Sequence, residues 1–311
     1  MTRKAYLGRV SDVDIRLLRI FRSVVACGGV SAAELELNIG RSTISRHLTD
    51  LELRVGVKLC DRGPAGFALT PEGERVLEAS SRLLSAINSF QSDIDEVHQR
   101  LTGHLSIAMF DKTVTNPQAQ IPQAIRLFDE IAPKVTLEIH VEPVNAIESG
   151  VLTGRFHLAI IPTHRQSNSL HYHPLYSEQM YLYCGQGHDL FEQPHDELSR
   201  RDIQACKYAG IGFQSPNMMV SHRLKLKRSA DVYDEQALAA LILSGRYVGF
   251  LPDHYAKSFV ERGEMRQLRP DFYHYQSDHA AIVRHAPRPS RLVQEFLECL
   301  CHAHGATDGL H

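Results

Sequence analysis

Arg41, Ser42, Ser45, Arg46 and Thr49 lie within nine residues of one another, interleaved with Ile44, Leu48, Leu51 and Val55. The apolar set is spaced 4, 3 and 4, which puts it on one stripe of a helix and leaves the guanidinium and hydroxyl groups off it. Guanidinium pairs with guanine edges or phosphates, and hydroxyls can contact bases or backbone. The chemistry on offer is therefore recognition of a polyanion, not bond making. An ordinary helical hairpin with a solvated face would show the same cues, so the neighbouring elements must decide.

Those elements form an ordered series. Ile15, Leu18, Phe21, Val24 and Val25 mark an amphipathic helix that ends at Cys27-Gly28-Gly29. Ser31 and Glu34 fit a capping box for a short second helix, and Asn38-Ile39-Gly40 supplies a turn. The third helix runs from about Arg41 to Gly56, a residue suited to a helix stop. Val57–Cys60 and Phe67–Leu69 then read as two short strands around Gly63-Pro64-Ala65-Gly66, a β-wing. Lys58 and Arg62 are placed to meet phosphates. For Arg62 an internal salt bridge that holds the hairpin is an equal alternative.

Thr70-Pro71 opens another helix, with Thr as N-cap and Pro at the first position. Leu83, Ile87, Phe90, Ile94, Val97 and Leu101 follow at spacings of 4, 3, 4, 3 and 4, flanked by polar residues. Such a narrow seam wants a partner helix, so it predicts a homodimer. Thr102-Gly103 ends the helix as a hinge. From His104 onward strands alternate with helices. Leu105–Phe110, Val135–Val141, Leu158–Pro162, Tyr208–Gly212, Tyr247–Leu251 and Ala280–Arg284 read as strands. Residues 118–131, 146–152, 235–244, 252–262 and 292–302 read as helices. The alternation implies α/β layers with mostly parallel strands. Ligands of such sheets bind beyond the strands' carboxyl ends. Lys112, Thr113, Thr115, Asn116, Asn145, Gln214 and Ser215 occupy post-strand loops there and are the candidate ligand set, for a small and anionic molecule.

Composition bounds the rest. The chain has 311 residues and net charge −2, yet residues 1–70 carry eleven Lys/Arg against seven Asp/Glu, a local +4 that leaves −6 on the remainder. A basic head on an acidic body fits local phosphate contact. The six cysteines are scattered without a C-x-x-C, and the eighteen histidines match no metal-site spacing. Neither a metal nor another cofactor is expected. No signal peptide or membrane-spanning run is apparent, so a cytoplasmic protein with reduced thiols is expected, without a membrane partner. No P-loop, G-x-S-x-G or G-x-G-x-x-G occurs, which argues against an enzyme.

Taken together, the residues resemble the LysR-type transcriptional regulators over nearly the whole chain. The N-terminal match runs through Asp14-Ile15-x-x-Leu18-x-x-Phe21, Val24, Gly29, Ala32-Ala33, Leu35, Ile44-Ser45, Leu51-Glu52, Gly56-Val57-x-Leu59, Arg62 and Leu69-Thr70-Pro71-x-Gly73. Later matches are Pro122, Phe128, Pro133, Leu152-Thr-Gly154 and Ser244-Gly245-x-x-Val248-Gly249-Phe250-Leu251-Pro252. The resemblance implies an α/β protein with a winged helix-turn-helix over 1–70, a linker and dimerisation helix with hinge over 71–103, and a periplasmic-binding-protein-like effector domain of two subdomains over 104–311. It implies a dimer or tetramer on double-stranded promoter DNA, RNA polymerase as a further partner, and a small acid or aromatic effector between the subdomains. By position, Arg41, Ser42, Thr43, Ser45 and Arg46 become groove residues, and Ser31 and Arg62 backbone contacts.

The chain departs from the family pattern in four places. Gly40-Arg41 stands where Ser-Gln is usual, Cys60 where Phe is usual, and His157 where Asp is usual. About ten extra residues precede the first helix. Two other classes stay open: a small-molecule binding protein without DNA function, and an enzyme built on the α/β body. Salt-dependent retardation of DNA would separate the first from a regulator, and turnover of a stabilising ligand would revive the second.

Overall fold

A computed structural model describes residues 8–63, 66–97, 101–163, 165–212 and 216–305. The chain divides into two compact units, with the main boundary between Gln91 and Ser92. Among the described residues, no helix is long and apolar enough to cross a membrane.

The first unit begins with α1 (Asp12–Ala26), α2 (Val30–Leu37) and α3 (Arg41–Val55). Phe21, Val24, Ile44, Leu48 and Leu51 are fully buried and form its centre with Leu17, Ala33 and Leu59. Each such large side chain contributes about 1.5–3 kcal/mol on burial. The expected capping box at Ser31 does not form. α2 starts two residues earlier, after Gly29 at φ +146°, so Ser31 sits exposed inside the first turn. The Glu34 carboxylate instead accepts from the amide of Arg41 at 3.3 Å, tying α2 to the start of α3. Gly56 ends α3 in the left-handed region, φ +77°, where a side chain is disfavoured.

The wing consists of β1 (Cys60–Gly63) and β2 (Gly66–Leu69), antiparallel, with Cys60 opposite Leu69 and Arg62 opposite Phe67. The first strand thus begins three residues later than the sequence pattern suggests. The Leu59 and Cys60 amides turn to the Glu52 carboxylate, at 2.9 and 3.4 Å. α4 (Pro71–Val97) follows, its start capped by the Thr70 hydroxyl, which accepts from the Gly73 amide at 2.9 Å. A Cβ on Gly73 would meet the Leu59 carbonyl oxygen at 1.9 Å, so only glycine lets this helix approach the wing.

An ion pair between buried Asp14 and partly exposed Arg54 fixes α1 against α3. Asp14, 1% exposed, takes hydrogen bonds from Arg54 Nε and Nη2 and from the Ser11 amide and hydroxyl. The Arg54 guanidinium, followed by the Ser11 donors, holds the Asp14 carboxyl well below the usual carboxylate range, against the opposing cost of burial. A depressed folded pKa contributes stability that is complete above the unfolded value, near 4, and fades as pH falls below it. Acidification from about pH 7 to about pH 3 is therefore expected to erode the stability difference between the protein and its Asp14→Asn variant. Thermal melts across that range check it, and a gap independent of pH would contradict it.

The second unit is α/β. In chain order it comprises β3 (Gly103–Met109), α5 (Ile121–Ile131), β4 (Val135–Val141), α6 (Val144–Thr153), β5 (Leu158–Pro162), β6 (Leu170–Gly185) and α7 (Arg200–Ala205). Then come β7 (Lys207–Ile211), α8 (Pro216–Leu224), β8 (Lys227–Val232), α9 (Glu235–Leu243), β9 (Val248–Pro252), α10 (Asp253–Glu261), β10 (Met265–Gln267), β11 (His274–Arg284) and α11 (Arg291–Ala303).

Among the described residues these strands make one nine-stranded sheet, ordered β4-β3-β5-β11-β6-β9-β7-β8, with β10 beside β6. The sheet is mixed, not mostly parallel. The pairs β3–β4, β3–β5, β7–β8 and β7–β9 are parallel, while β5–β11, β11–β6, β6–β9 and β10–β6 are antiparallel. Two parallel βαβ halves are thus joined through the long antiparallel strands β6 and β11, whose register shifts between His279 and Ala280. α5 and α11 cover one face of the first half, where Phe128 meets Phe296 edge-to-face at 5.1 Å.

His157, the position where the resemblance expects Asp, is an internal acceptor. Its Nδ1 takes the Ser106 amide at 2.9 Å, beside a backbone bond from His157 N to Ser106 O. Burial lowers its pKa to about 4, so the imidazole stays neutral and keeps the lone pair that this role needs.

Candidate nucleic-acid interface and ligand cleft

α3 separates its two faces cleanly. Ile44, Leu48 and Leu51 have no exposed surface, whereas Arg41, Ser42, Arg46 and Thr49 are exposed and Thr43 and Ser45 half-buried. Neither the Arg41 nor the Arg46 guanidinium has a hydrogen-bond or ion-pair partner among the described residues. The Thr49 hydroxyl donates to the Ser45 carbonyl at 3.0 Å. Ser31 is exposed on α2.

Arg62 makes the internal salt bridge that is one of its two alternatives. Its Nη2 donates to Glu52 Oε2 at 2.6 Å and its Nη1 to the Ser45 carbonyl at 3.1 Å, with both side chains mostly covered. Glu52 thereby gathers the Leu59 and Cys60 amides and the Arg62 guanidinium. This arrangement sets the wing's angle to α3. Lys58 pairs with Asp61 at the wing's exposed edge.

The residues of the seam on α4 differ in burial within the single chain. Leu83 packs against the core of the first unit, and Leu84 beside it is buried. Ile87 is half-buried, while Phe90 and Ile94 are 64% and 44% exposed. The Val97 side chain lies outside the described residues. Leu101 lies beyond the last described helical residue and packs against the α5–α11 core of the second unit. Helix periodicity cannot distinguish a seam from a residue claimed by a core at either end.

In the second unit, β3 leads into a loop that returns across the sheet's carboxyl edge. Lys112, at φ +58°, sends its Nζ to Asp111 Oδ1 at 3.3 Å and to Gln236 Oε1 at 3.2 Å, and lies 5.2 Å from the Tyr255 ring centre. Thr113 is buried and donates to the Phe110 carbonyl at 2.6 Å. The Thr115 hydroxyl lies 2.8 Å from His254 Nδ1, and His254 Nε2 lies 3.1 Å from Glu178 Oε2. Asn116 accepts from the Gln118 amide at 2.9 Å. Lys112 and Thr115 therefore bridge the two halves, and Thr113 and Asn116 shape the loop between them. Asn145 is the second residue of α6 and exposed, away from this cluster's hydrogen bonds. Gln214 and Ser215 lie outside the described residues.

Two clefts flank the loop. One, of about 630 Å³, is bordered by Phe110, Asp111, Glu142, Tyr233, Asp234 and Ala237. The other, of about 810 Å³, is bordered by Thr115, Ser177, Glu178, Tyr183, His254 and Lys257 among others. Between them a small cavity of about 30 Å³ shares Phe110 with the first and Glu178 with the second, and includes Glu235, Asn217 and Tyr275. Carboxylates are prominent in this lining. Asp111, Glu178, Asp234 and Glu235 converge where Lys112 is already paired with Asp111.

Sequence reasoning missed Glu178 and Glu235. β6 was not assigned as a strand, since His171, His173, Pro174 and Glu178 break its apolar pattern. β8 (KRSADV) has too little apolar content to mark a strand, so Glu235 did not read as a post-strand helix start. The one available signal was Asp234, which caps α9 by accepting from the Ala237 amide at 2.7 Å.

Comparison with known proteins bears on both units. Residues 15–74 match the model described as "Bacterial regulatory helix-turn-helix protein, lysR family", and residues 98–304 match "LysR substrate binding domain". The HTH-type transcriptional activator BauR of Pseudomonas aeruginosa is 40% identical over 299 residues, covering 96% of this chain and 98% of that protein. The probable HTH-type transcriptional regulator LrrA of Synechococcus elongatus is 27% identical over 242 residues, covering 77% of this chain and 81% of its own. Among solved structures, the crystal structure of CbnR, a LysR family transcriptional regulator, has TM-score 0.63 at 20% identity and covers 93% of this chain and 99% of its own.

Proposed function

The chain belongs to the LysR family of bacterial transcription regulators, and on that premise we propose that α3 is the helix it lays in the major groove of promoter DNA. The family assignment makes it a DNA-binding regulator with an effector-binding domain, not an enzyme and not a binding protein without DNA function. The single observation carrying the finer reading is the division of α3, with Ile44, Leu48 and Leu51 wholly inside and Arg41, Ser42, Arg46 and Thr49 outside. Arg41 and Arg46 supply base-edge or phosphate contacts, Ser42, Thr43, Ser45 and Thr49 shorter-range ones, and Ser31 and Lys58 flanking phosphate contacts. Arg62 acts through Glu52 by fixing the wing.

Salt-dependent gel retardation on DNA upstream of the genes under control tests this. Retardation that weakens steeply as salt rises is expected, since each phosphate neutralised adds about −0.9 to the log–log slope. Absence of retardation, or salt-independent retardation, would contradict it.

The regions 1–70, 71–103 and 104–311 serve as DNA-reading head, joining helix with hinge, and effector domain. Two copies join through α4, and two such heads suit paired half-sites. Exposed Phe90 and Ile94 support that reading. A Phe90→Glu, Ile94→Glu double variant is expected to weaken self-association at least about tenfold, because it places charges in an apolar seam. Light scattering across a dilution series checks it, and an unchanged mass would point to another joining surface.

A small effector lodges in the clefts beside Lys112, Thr113, Thr115 and Asn116, where its binding shifts the closure of the two halves. Action on promoter DNA places the protein in the bacterial cytoplasm. RNA polymerase is the further partner that a relative named as a transcriptional activator supports.

A further inference from the structure

Glu235 is 4% exposed, and its Oε2 is buried without a hydrogen-bond partner among the described residues. Asp111 Oδ2, in the wall of the 630 Å³ cleft, is in the same state. A buried acceptor left open is costly, and native proteins rarely leave one without a solvent or ligand donor. Glu235 borders the 30 Å³ cavity together with Glu178, Asn217 and Tyr275. That volume suits one or two waters, or the head of an ammonium ion, which is of similar size.

We infer that this inner cavity seats the positively charged amine group of the effector, with the amine's organic remainder lying in the adjoining cleft beside Asp111. The inference rests on the reading of the second unit as the effector domain and specifies the chemistry that the unit accepts. An ammonium brings several N–H donors and a charge opposite to the two carboxylates, so it can engage Glu235 Oε2 and Glu178 together. A carboxylate ligand would add a like charge to the same space. A metal ion is a poorer fit, because no group of three or more His, Cys, Asp or Glu able to hold one occurs among the described residues.

The groups facing Glu235 give the inference a second signature. Glu178 comes from β6, Asp111 and Lys112 from the loop after β3, Asp234 from the start of α9, and Tyr275 from β11, with His254 and His279 turned toward Glu178. Burial first, then the charges of Glu178 and Asp111, raise the Glu235 carboxyl above the usual range, with Lys112 opposing. A raised pKa favours the neutral carboxyl in the empty cavity. An arriving ammonium favours the carboxylate, so binding releases a proton and tightens as pH rises toward the point where the empty site ionises.

The test uses the full chain with n-butylamine, n-butanol and butyrate at matched ionic strength. n-Butylamine is expected to raise Tm by about 3 °C near tenfold above its Kd, with the alcohol and the carboxylate silent. Glu235→Gln should lower amine affinity at least about tenfold, and Glu178→Gln should do likewise if the first variant folds poorly. Calorimetry in buffers of different ionisation enthalpy should register proton release with the protein and none with Glu235→Gln.

Silence of n-butylamine overturns the inference, as does stabilisation by butyrate alone. In the butyrate case Ala237→Trp, which obstructs the cleft wall, separates the two readings. Loss of butyrate binding leaves the effector cleft standing without its ammonium seat, and retained binding overturns the cleft as well.

Discussion

Replacing Arg41 and Arg46 together with alanine is expected to reduce promoter affinity at physiological salt by roughly 30- to 1000-fold. The figure corresponds to about 2–4 kcal/mol for two side chains that each pair with a base edge or a phosphate. Both guanidiniums are exposed and unengaged by other described residues, so their removal should leave the fold of the head untouched. The far-ultraviolet circular dichroism and the melting temperature should match those of the parent. If the lost contacts are to phosphates, the salt slope should fall by about 0.9 for each. If they are to bases, the loss should be concentrated on the specific sequence and the slope nearly kept. Comparing specific and random duplexes across a salt series separates the two. Unchanged affinity would remove α3 from the interface. Arg41 carries particular interest, because the family resemblance expects an amide side chain there, and a cation shifts the preferred partner toward guanine or phosphate.

Glu52→Ala is expected to cost the head about 3–5 kcal/mol. Glu52 accepts from the Leu59 and Cys60 amides at 2.9 and 3.4 Å and from Arg62 Nη2 at 2.6 Å. Its truncation strands two backbone donors at the entry to the wing and one part-buried guanidinium, each costing about 1–3 kcal/mol. Arg62→Ala should cost less, since the amides keep their acceptor. The pair should couple by more than about 1 kcal/mol in a double-mutant cycle read by chemical denaturation. DNA affinity should fall with either change only in proportion to the disturbed wing. Weakened DNA binding by Arg62→Ala with an unmoved denaturation midpoint would show instead that Arg62 meets phosphate.

These two expectations mark where the sequence was informative. The buried stripe of α3 was legible because Ile44, Leu48, Leu51 and Val55 obey helical period and nothing else competes for them. Thr70 as a cap, Gly56 as a stop and strands β4 and β5 were legible for similar local reasons. The start of α2 was misplaced because Gly29 adopts a backbone conformation that lets the helix begin before the expected Ser31 cap. At the two ends of the seam Leu83 and Leu101 also pack against cores, which periodicity alone does not reveal.

The proposed ligand cleft was half legible. Its Lys112–Asn116 loop follows a recognisable strand, but its carboxylates do not. Glu178 sits on a strand whose alternation is masked by His, Tyr and Pro, and Glu235 follows a strand built of KRSADV. Burial of an acid is a tertiary fact, set by which chain segments close over it, and no local pattern announces it. The expectation of an anionic ligand came from the set of polar post-strand residues Lys112, Thr113, Thr115, Asn116, Asn145, Gln214 and Ser215. The pairing of Lys112 with Asp111 and the nearby acids Glu178 and Glu235 are what lead us to propose an ammonium group there instead.

The central claim is that the outer face of α3 meets promoter DNA. Photocrosslinking from p-benzoylphenylalanine placed at Thr49 tests it most directly, with the same probe at Arg16, on the exposed side of α1, as the reference. Covalent capture of promoter DNA from position 49, and its absence from position 16, is the expected result. DNA binding with capture from position 16 and none from position 49 would contradict it.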